Sequence, residues 1–141
     1  MNRRVPTILC LAFSLFLGGC GRNPQIDVAP GLEKGRVVFR ITARSMNGLS
    51  RFTVMEGTNT VWEIRTSSYK GTKIVYGELP KEGNRRASQV VPARGIDLAD
   101  IRGKTVTVRV HYTYDRAFAV CQNYFEKSMQ IPNAEPAAAP Q

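Results

Sequence analysis

The stretch TVTVRVHYTYD, residues 105–115, decides the fold. Val106, Val108, Val110, Tyr112 and Tyr114 alternate with Thr105, Thr107, Arg109, His111 and Thr113. Successive side chains of a strand point to opposite faces, so period-two alternation marks a strand with one buried face. RVVFRITAR, residues 36–44, repeats the pattern, with Val37, Phe39, Ile41 and Ala43 set against Arg40, Thr42 and Arg44. Further strands are predicted at 51–56, 60–66, 72–79, 88–91 and 118–125. Asn47-Gly48, Gly57 to Asn59, Ser67 to Gly71 and Lys81 to Asn84 separate them as turn residues. About seven short strands at this spacing predict an all-β fold, an antiparallel sandwich of immunoglobulin or fibronectin III type. IDLADIRG, residues 96–103, is the one place where a short helical turn is expected.

The two ends of the chain read differently. Arg3 and Arg4 precede an apolar run from Val5 to Leu17, followed by Gly18, Gly19 and Cys20. A spanning helix needs about 20 apolar residues. This run is shorter and has a basic flank and small residues after it, which describes an export signal. Leu17-Gly18-Gly19-Cys20 resembles the lipobox of bacterial lipoproteins. The resemblance implies cleavage before Cys20, a diacylglycerol on its sulfur and an acyl group on the new amine. Two or more chains hold a protein stably to a bilayer, where one does so only marginally. In that family an aspartate after the cysteine often retains the protein at the inner membrane. Gly21 stands there instead, so the resemblance implies the outer membrane and a periplasm-facing domain. The expected organisation is a signal peptide over 1–19, a lipidated flexible tether over 20–34, a β-sandwich over 35–131 and a Pro/Ala-rich disordered tail over 132–141.

Charge and cysteine content narrow the function classes. The chain carries 20 Lys and Arg against 11 Asp and Glu. Loss of Arg3 and Arg4 with the signal leaves 18 against 11, or +7. In an exported protein that excess points to anionic envelope polymer or lipid head groups rather than nucleic acid. Of Cys10, Cys20 and Cys121, only Cys121 would remain as a thiol, so no internal disulfide is expected. One histidine and one cysteine cannot supply the three or four N/S ligands that zinc requires, and no cofactor or metal is expected. Glu56, Glu63, Glu78 and Glu82 fall on solvated faces or turns, where paired-carboxylate chemistry is not expected.

Individual residues carry two readings each. Trp62, the sole tryptophan, reads as a core pivot more readily than as a ligand-stacking ring. Gly77 inside YGELP, residues 76–80, suggests a bulge or close backbone approach. Tyr76 beside it is a candidate binding residue on what otherwise reads as an edge-strand terminus. His111 lies on the polar face. An even loop between the last two strands would put Cys121 on the apolar face, while an odd loop over 115–117 would set Cys121 directly across from His111. The hydrophobic pattern favours the odd loop. Without a glycine-rich oxyanion segment, proximity alone does not make a Cys–His enzyme, and no catalytic activity is expected. Arg36, Arg40 and Arg44 recur at every second outward position of one strand and make a basic ridge. Arg85, Arg86, Arg94 and Arg102 lie around a long irregular segment. Arginine suits bidentate capture of carboxylate and phosphate. Arg40, Arg44, Tyr76, Arg85, Arg86 and Arg94 are therefore the candidate binding residues.

VWEI at 61–64, IVYGELP at 74–80 and GKTVTVRV at 103–110 are similar to small lipoproteins of proteobacteria of unassigned function, which supports fold and address only. The expected function is a non-catalytic binding or structural module, lipid-anchored at the outer membrane. The alternative is an inhibitor or immunity-type lipoprotein that blocks an envelope enzyme with a loop such as YGELPKEGNRR.

Overall fold

The computed structural model describes residues 24–81, 87–116 and 119–134. The lipobox with Cys20, the arginines Arg85 and Arg86, and residues 135–141 of the tail lie outside them. The eight strands are β1 (Gln25–Glu33), β2 (Arg36–Arg44), β3 (Gly48–Glu56), β4 (Asn59–Tyr69), β5 (Lys73–Val75), β6 (Ser88–Val91), β7 (Thr105–Arg116) and β8 (Ala119–Gln130). They form two antiparallel sheets, ordered β1-β2-β5 and β6-β4-β3-β7-β8. Pairing of β2 with β5 on one sheet and of β3, β7 and β8 on the other follows the B–E and C–F–G pairings of an immunoglobulin-type sandwich, with β4 and β6 added beside β3.

The inner faces are those the alternation predicts. Val37, Phe39 and Ile41 from β2 and Val106, Val108, Val110 and Tyr112 from β7 are all buried in one core. An aromatic chain crosses it. Phe39 meets Phe52 with ring centroids 5.2 Å apart, Phe52 meets Trp62 at 6.1 Å, and Trp62 meets Tyr76 edge-on at 5.3 Å. Trp62 is fully buried, and its indole N–H has no hydrogen-bond partner among the described residues. It is the core pivot. Burying one such ring contributes about 2–3 kcal/mol, before close packing between rings adds to it.

Four expectations need correction. The tether expected over 20–34 is, from Gln25 on, a strand. β1 pairs with β2 along its full length, from Gln25 opposite Arg44 to Glu33 opposite Arg36. Its one proline and one glycine hid it, because Pro30 and Gly31 read as punctuation. Yet Val28 and Leu32 are buried against the core, and an edge strand tolerates proline. The strand expected over 72–79 ends at Val75, because Gly77 turns the chain at φ +81°. A Cβ there would lie 2.6 Å from Leu98, so the close approach expected at Gly77 is present. Residues 97–100 are irregular rather than a helical turn, between hydrogen-bonded turns that close at Ile96 and Lys104, and fully buried Ile101 ties the segment down.

The fourth concerns the last hairpin. β7 and β8 pair with Arg116 opposite Ala119, an even, two-residue connection. His111 therefore faces Tyr124 rather than Cys121, and Cys121 faces Tyr114 on the opposite side of the sheet. The inward set of β8 is Cys121, Asn123, Phe125, Lys127 and Met129. Only the lower part of this edge strand meets the core, through Phe125 and buried Met129. Val120 and Tyr124 remain exposed, so the apolar residues of its upper half do not set the register.

Candidate functional site: a basic and aromatic cleft on the five-stranded sheet

The solvent face of the five-stranded sheet carries residues from four strands in transverse rows. Arg65 of β4, Arg51 of β3, His111 of β7 and Tyr124 of β8 are successive cross-strand partners. At about 4.8 Å per strand this row spans roughly 14 Å. The adjoining row is Glu63, Thr53, Arg109 and Glu126. The first row is cationic at one end and aromatic at the other. The second supplies the acids.

A backbone irregularity positions the first row. Leu49 pairs with Tyr112 and Arg51 with His111, so Ser50 is an extra residue on β3, a β-bulge. Pairing with β4 slips across the same point. Hydroxyls partly replace the missing ladder bonds: Thr66 donates to the Leu49 carbonyl at 2.6 Å, and Ser68 to the Asn47 carbonyl at 3.0 Å. The bulge lets both Leu49 and Phe52 point into the core while Arg51 points out. Above it lies a cleft of about 390 Å³ lined by Ser50, Arg51, Arg65, His111, Gln122 and Tyr124, with Tyr112 and Asn123 beside them.

Like charges directly opposite each other in a sheet are destabilising. Arg51 and Arg65 are such a pair, and among the described residues they share one ion-pair partner, Glu63. The Glu63 carboxylate, 14% exposed, approaches the two guanidinium groups at 3.6 and 3.7 Å, beyond hydrogen-bond length. The other cation of the face is already committed. Arg109 donates to Glu126 at 2.6 Å and lies 5.3 Å from the Tyr124 ring centroid, which holds that ring in place. Tyr124 is nonetheless 55% exposed, with its centroid 5.7 Å from the His111 ring. Burial, followed by Arg51 and Arg109, lowers the pKa of His111 below the usual imidazole value, and Glu63 opposes them in part. The balance favours the neutral imidazole.

The residues singled out in the sequence fare unevenly. The ridge on β2 is largely neutralised by neighbouring elements. Arg36 pairs with Glu78, Arg40 with Glu33 at 3.0 Å, and Lys73 with the same Glu33 at 2.8 Å. Hydrogen bonding from Lys73 holds Glu33 below the usual carboxylate range, and Lys127 does the same to Asp27. Arg40 also lies over Gly31, where a Cβ would meet its guanidinium at 2.8 Å. The hollow of about 560 Å³ beside Arg40 and Lys73 is larger than the cleft, but its cations already have their acid. Arg44 ends the ridge, exposed beside Asp27 and Thr42. Tyr76 donates its hydroxyl to the Ala99 carbonyl at 2.8 Å, tying the β5–β6 connection to the β6–β7 connection, while its ring rests on Trp62. Burial first, then Asp100 and Glu56, pushes its pKa up to about 12, so the phenol stays protonated. Arg94 is exposed on the β6–β7 connection, and Arg102 is clasped by Asp100. None of these joins the cleft.

Arg51, Arg65 and Tyr124 were missed as site residues because each is unremarkable within its own strand. His111 was weighed against the wrong partner. Their common row is the product of three registers. Among the described residues no cluster of His, Cys, Asp and Glu could hold a metal ion. The arrangement places two guanidinium groups beside two aromatic rings in one cleft. The class defined is an antiparallel sandwich with a basic and aromatic cleft on one outer face. The chain matches no known protein-family model, no curated protein and no solved structure.

Proposed function

We propose that this chain is a lipid-anchored envelope module that binds an anionic ligand without catalysis, at the cleft of Arg51, Arg65 and His111. The observation that carries the reading is the cross-strand arginine pair at a β-bulge, with one acid shared between two guanidinium groups at more than 3.5 Å. Retaining like charges opposite each other is unfavourable in the free protein and becomes favourable once an anion sits between them. Anchorage rests on the lipobox resemblance at Cys20. With β1 starting at Gln25, five residues at about 3.6 Å each would keep the strand within roughly 18 Å of the acylated cysteine. Gln25 lies opposite Arg44, which leads through 45–47 into β3, so the cleft occupies the half of the sandwich nearer the anchor.

The test uses the full chain, purified in detergent and immobilised, with solubilised envelope passed over it and eluted by a salt gradient. An anionic glycan or lipid released at moderate salt is expected, because exposed charges are screened. A protein retained beyond about 0.5 M salt, where screening acts within a few Å, would overturn the reading. It would favour an inhibitor that holds its target through a desolvated patch.

A further inference from the structure

We infer that the cleft recognises a negatively charged sugar: a pyranose-sized ring carrying a carboxylate or phosphate. This rests on the anion-binding reading above and specifies its ligand. Three features of the row carry it.

The first is polarity along the row. Arg65 and Arg51 lie at one end, and His111 and Tyr124 continue it across two further strand spacings, about 10 Å. An anion held by the arginines therefore has its remaining atoms laid over the two rings. An inorganic ion would use only half of this surface. The second is the fixed aromatic. Tyr124 is a large exposed ring that would ordinarily be free to rotate, but Arg109, itself clamped by Glu126, lies against it. A preset ring, tilted 38° to the His111 imidazole beside it, offers an apolar contact surface at little entropic cost. The third is the lining. Ser50 and Gln122 bring a hydroxyl and an amide to the same cleft, and the tyrosine hydroxyl adds another donor and acceptor. A ring that is apolar on its face and hydroxylated at its edge meets both kinds of surface, whereas an aromatic acid offers the Gln122 amide and the tyrosine hydroxyl no edge partner beyond its carboxylate. At about 390 Å³ the cleft is at the small end of ligand pockets, so it takes one ring rather than a polymer segment.

The chain has a single histidine, so the His111 ring protons report on this cleft alone. The full chain in detergent is titrated with glucuronate, glucose 6-phosphate, glucose, inorganic phosphate and benzoate while those protons are followed by NMR. Both charged sugars are expected to shift them and to bind about tenfold or more tightly than glucose, which lacks the charge-assisted bonds. Phosphate and benzoate are expected to bind several-fold more weakly than the charged sugars. Tyr124→Ala should weaken the charged sugars about fivefold, Tyr124→Phe should largely keep them, and Arg94→Ala should change nothing. The difference between glucuronate and glucose 6-phosphate identifies the acid. Phosphate or benzoate binding as tightly as the charged sugars, or Tyr124→Ala weakening phosphate equally, would overturn the sugar assignment and leave anion binding standing. No shift with any anion would remove both.

Discussion

The two outer faces of this sandwich each set a like-charged pair across two strands around one acid, and they differ in how closely that acid approaches: Glu33 lies 3.0 and 2.8 Å from Arg40 and Lys73, Glu63 3.6 and 3.7 Å from Arg51 and Arg65. On the three-stranded sheet, Arg36 and Arg40 from β2 and Lys73 from β5 meet Glu33 and Glu78. On the five-stranded sheet, Arg51 and Arg65 face one another with Glu63 shared between them. The basic residues of β2 look like a ligand ridge when that strand is read alone. Pairing with β1 brings Glu33 to one flank, and the ridge becomes a set of exposed ion pairs that contribute little to stability and are weakened by salt. The arginines of β3 and β4 look incidental in their own strands, and pairing them concentrates charge. What a charged strand face can bind thus depends on how tightly the acid its neighbours supply engages the paired cations.

Four experiments would break or sharpen this contrast. The largest effect is expected where the two faces share a support. Trp62→Ala removes the ring between Phe52 and Tyr76 and should destabilise the fold by about 3–5 kcal/mol in denaturant unfolding. Both faces should be lost together. Survival of either surface after loss of this ring would show that the sheets do not depend on a common core.

Next comes charge reversal. Arg51→Glu with Arg65→Glu should weaken anion binding by about a hundredfold or more, since each arginine supplies a charge-assisted contact of roughly 1.5–3 kcal/mol. Arg36→Glu with Arg40→Glu should leave the affinity within about twofold, apart from general charge effects at low salt. Equal losses in the two double variants, measured by calorimetry at physiological salt, would abolish the distinction between the faces.

Glu63→Gln separates stability from binding. Without its carboxylate the arginine pair repels unopposed, so unfolding should become easier by about 1 kcal/mol while anion affinity rises several-fold. A weakened affinity would mean that Glu63 orients the guanidinium groups rather than competing for them.

The smallest effect concerns pH. Burial, Arg51 and Arg109 lower the folded-state pKa of His111, with Glu63 opposing; Arg65 and Tyr124 line the same cleft, and Glu126 sits in the adjoining row against Arg109. Well above pH 6.5 the ring is neutral in both folded and unfolded chains, and the full stability is present. As pH falls below 6.5 the unfolded chain takes up its proton first. Stability then declines until the depressed folded value is passed. Protonation adds a charge to the cleft, so anion affinity should rise over the same interval, and a bound anion should raise the His111 pKa. An NMR titration of the ring with and without phosphate reads both. An unchanged pKa in the presence of phosphate would place the anion elsewhere.

The sequence by itself determined the sandwich and its inner faces. Alternation at 36–44 and 105–115 names nearly every residue that β2 and β7 bury, because a period of two is set by backbone geometry within one strand. It also identified Trp62 as a core residue and Gly77 as a point of close approach. β1 was hidden, because its Pro30 and Gly31 carry turn statistics while its pairing is made with residues outside itself. The register of β8 was misjudged, because Val120 and Tyr124 are apolar residues that the fold leaves in water. Only the tertiary structure decided the cleft. Arg65, Arg51, His111 and Tyr124 come from four strands between positions 51 and 124, and their alignment depends on a bulge at Ser50 and an even hairpin between β7 and β8. A one-residue change in any of those registers would turn the side chain to the opposite face of the sheet.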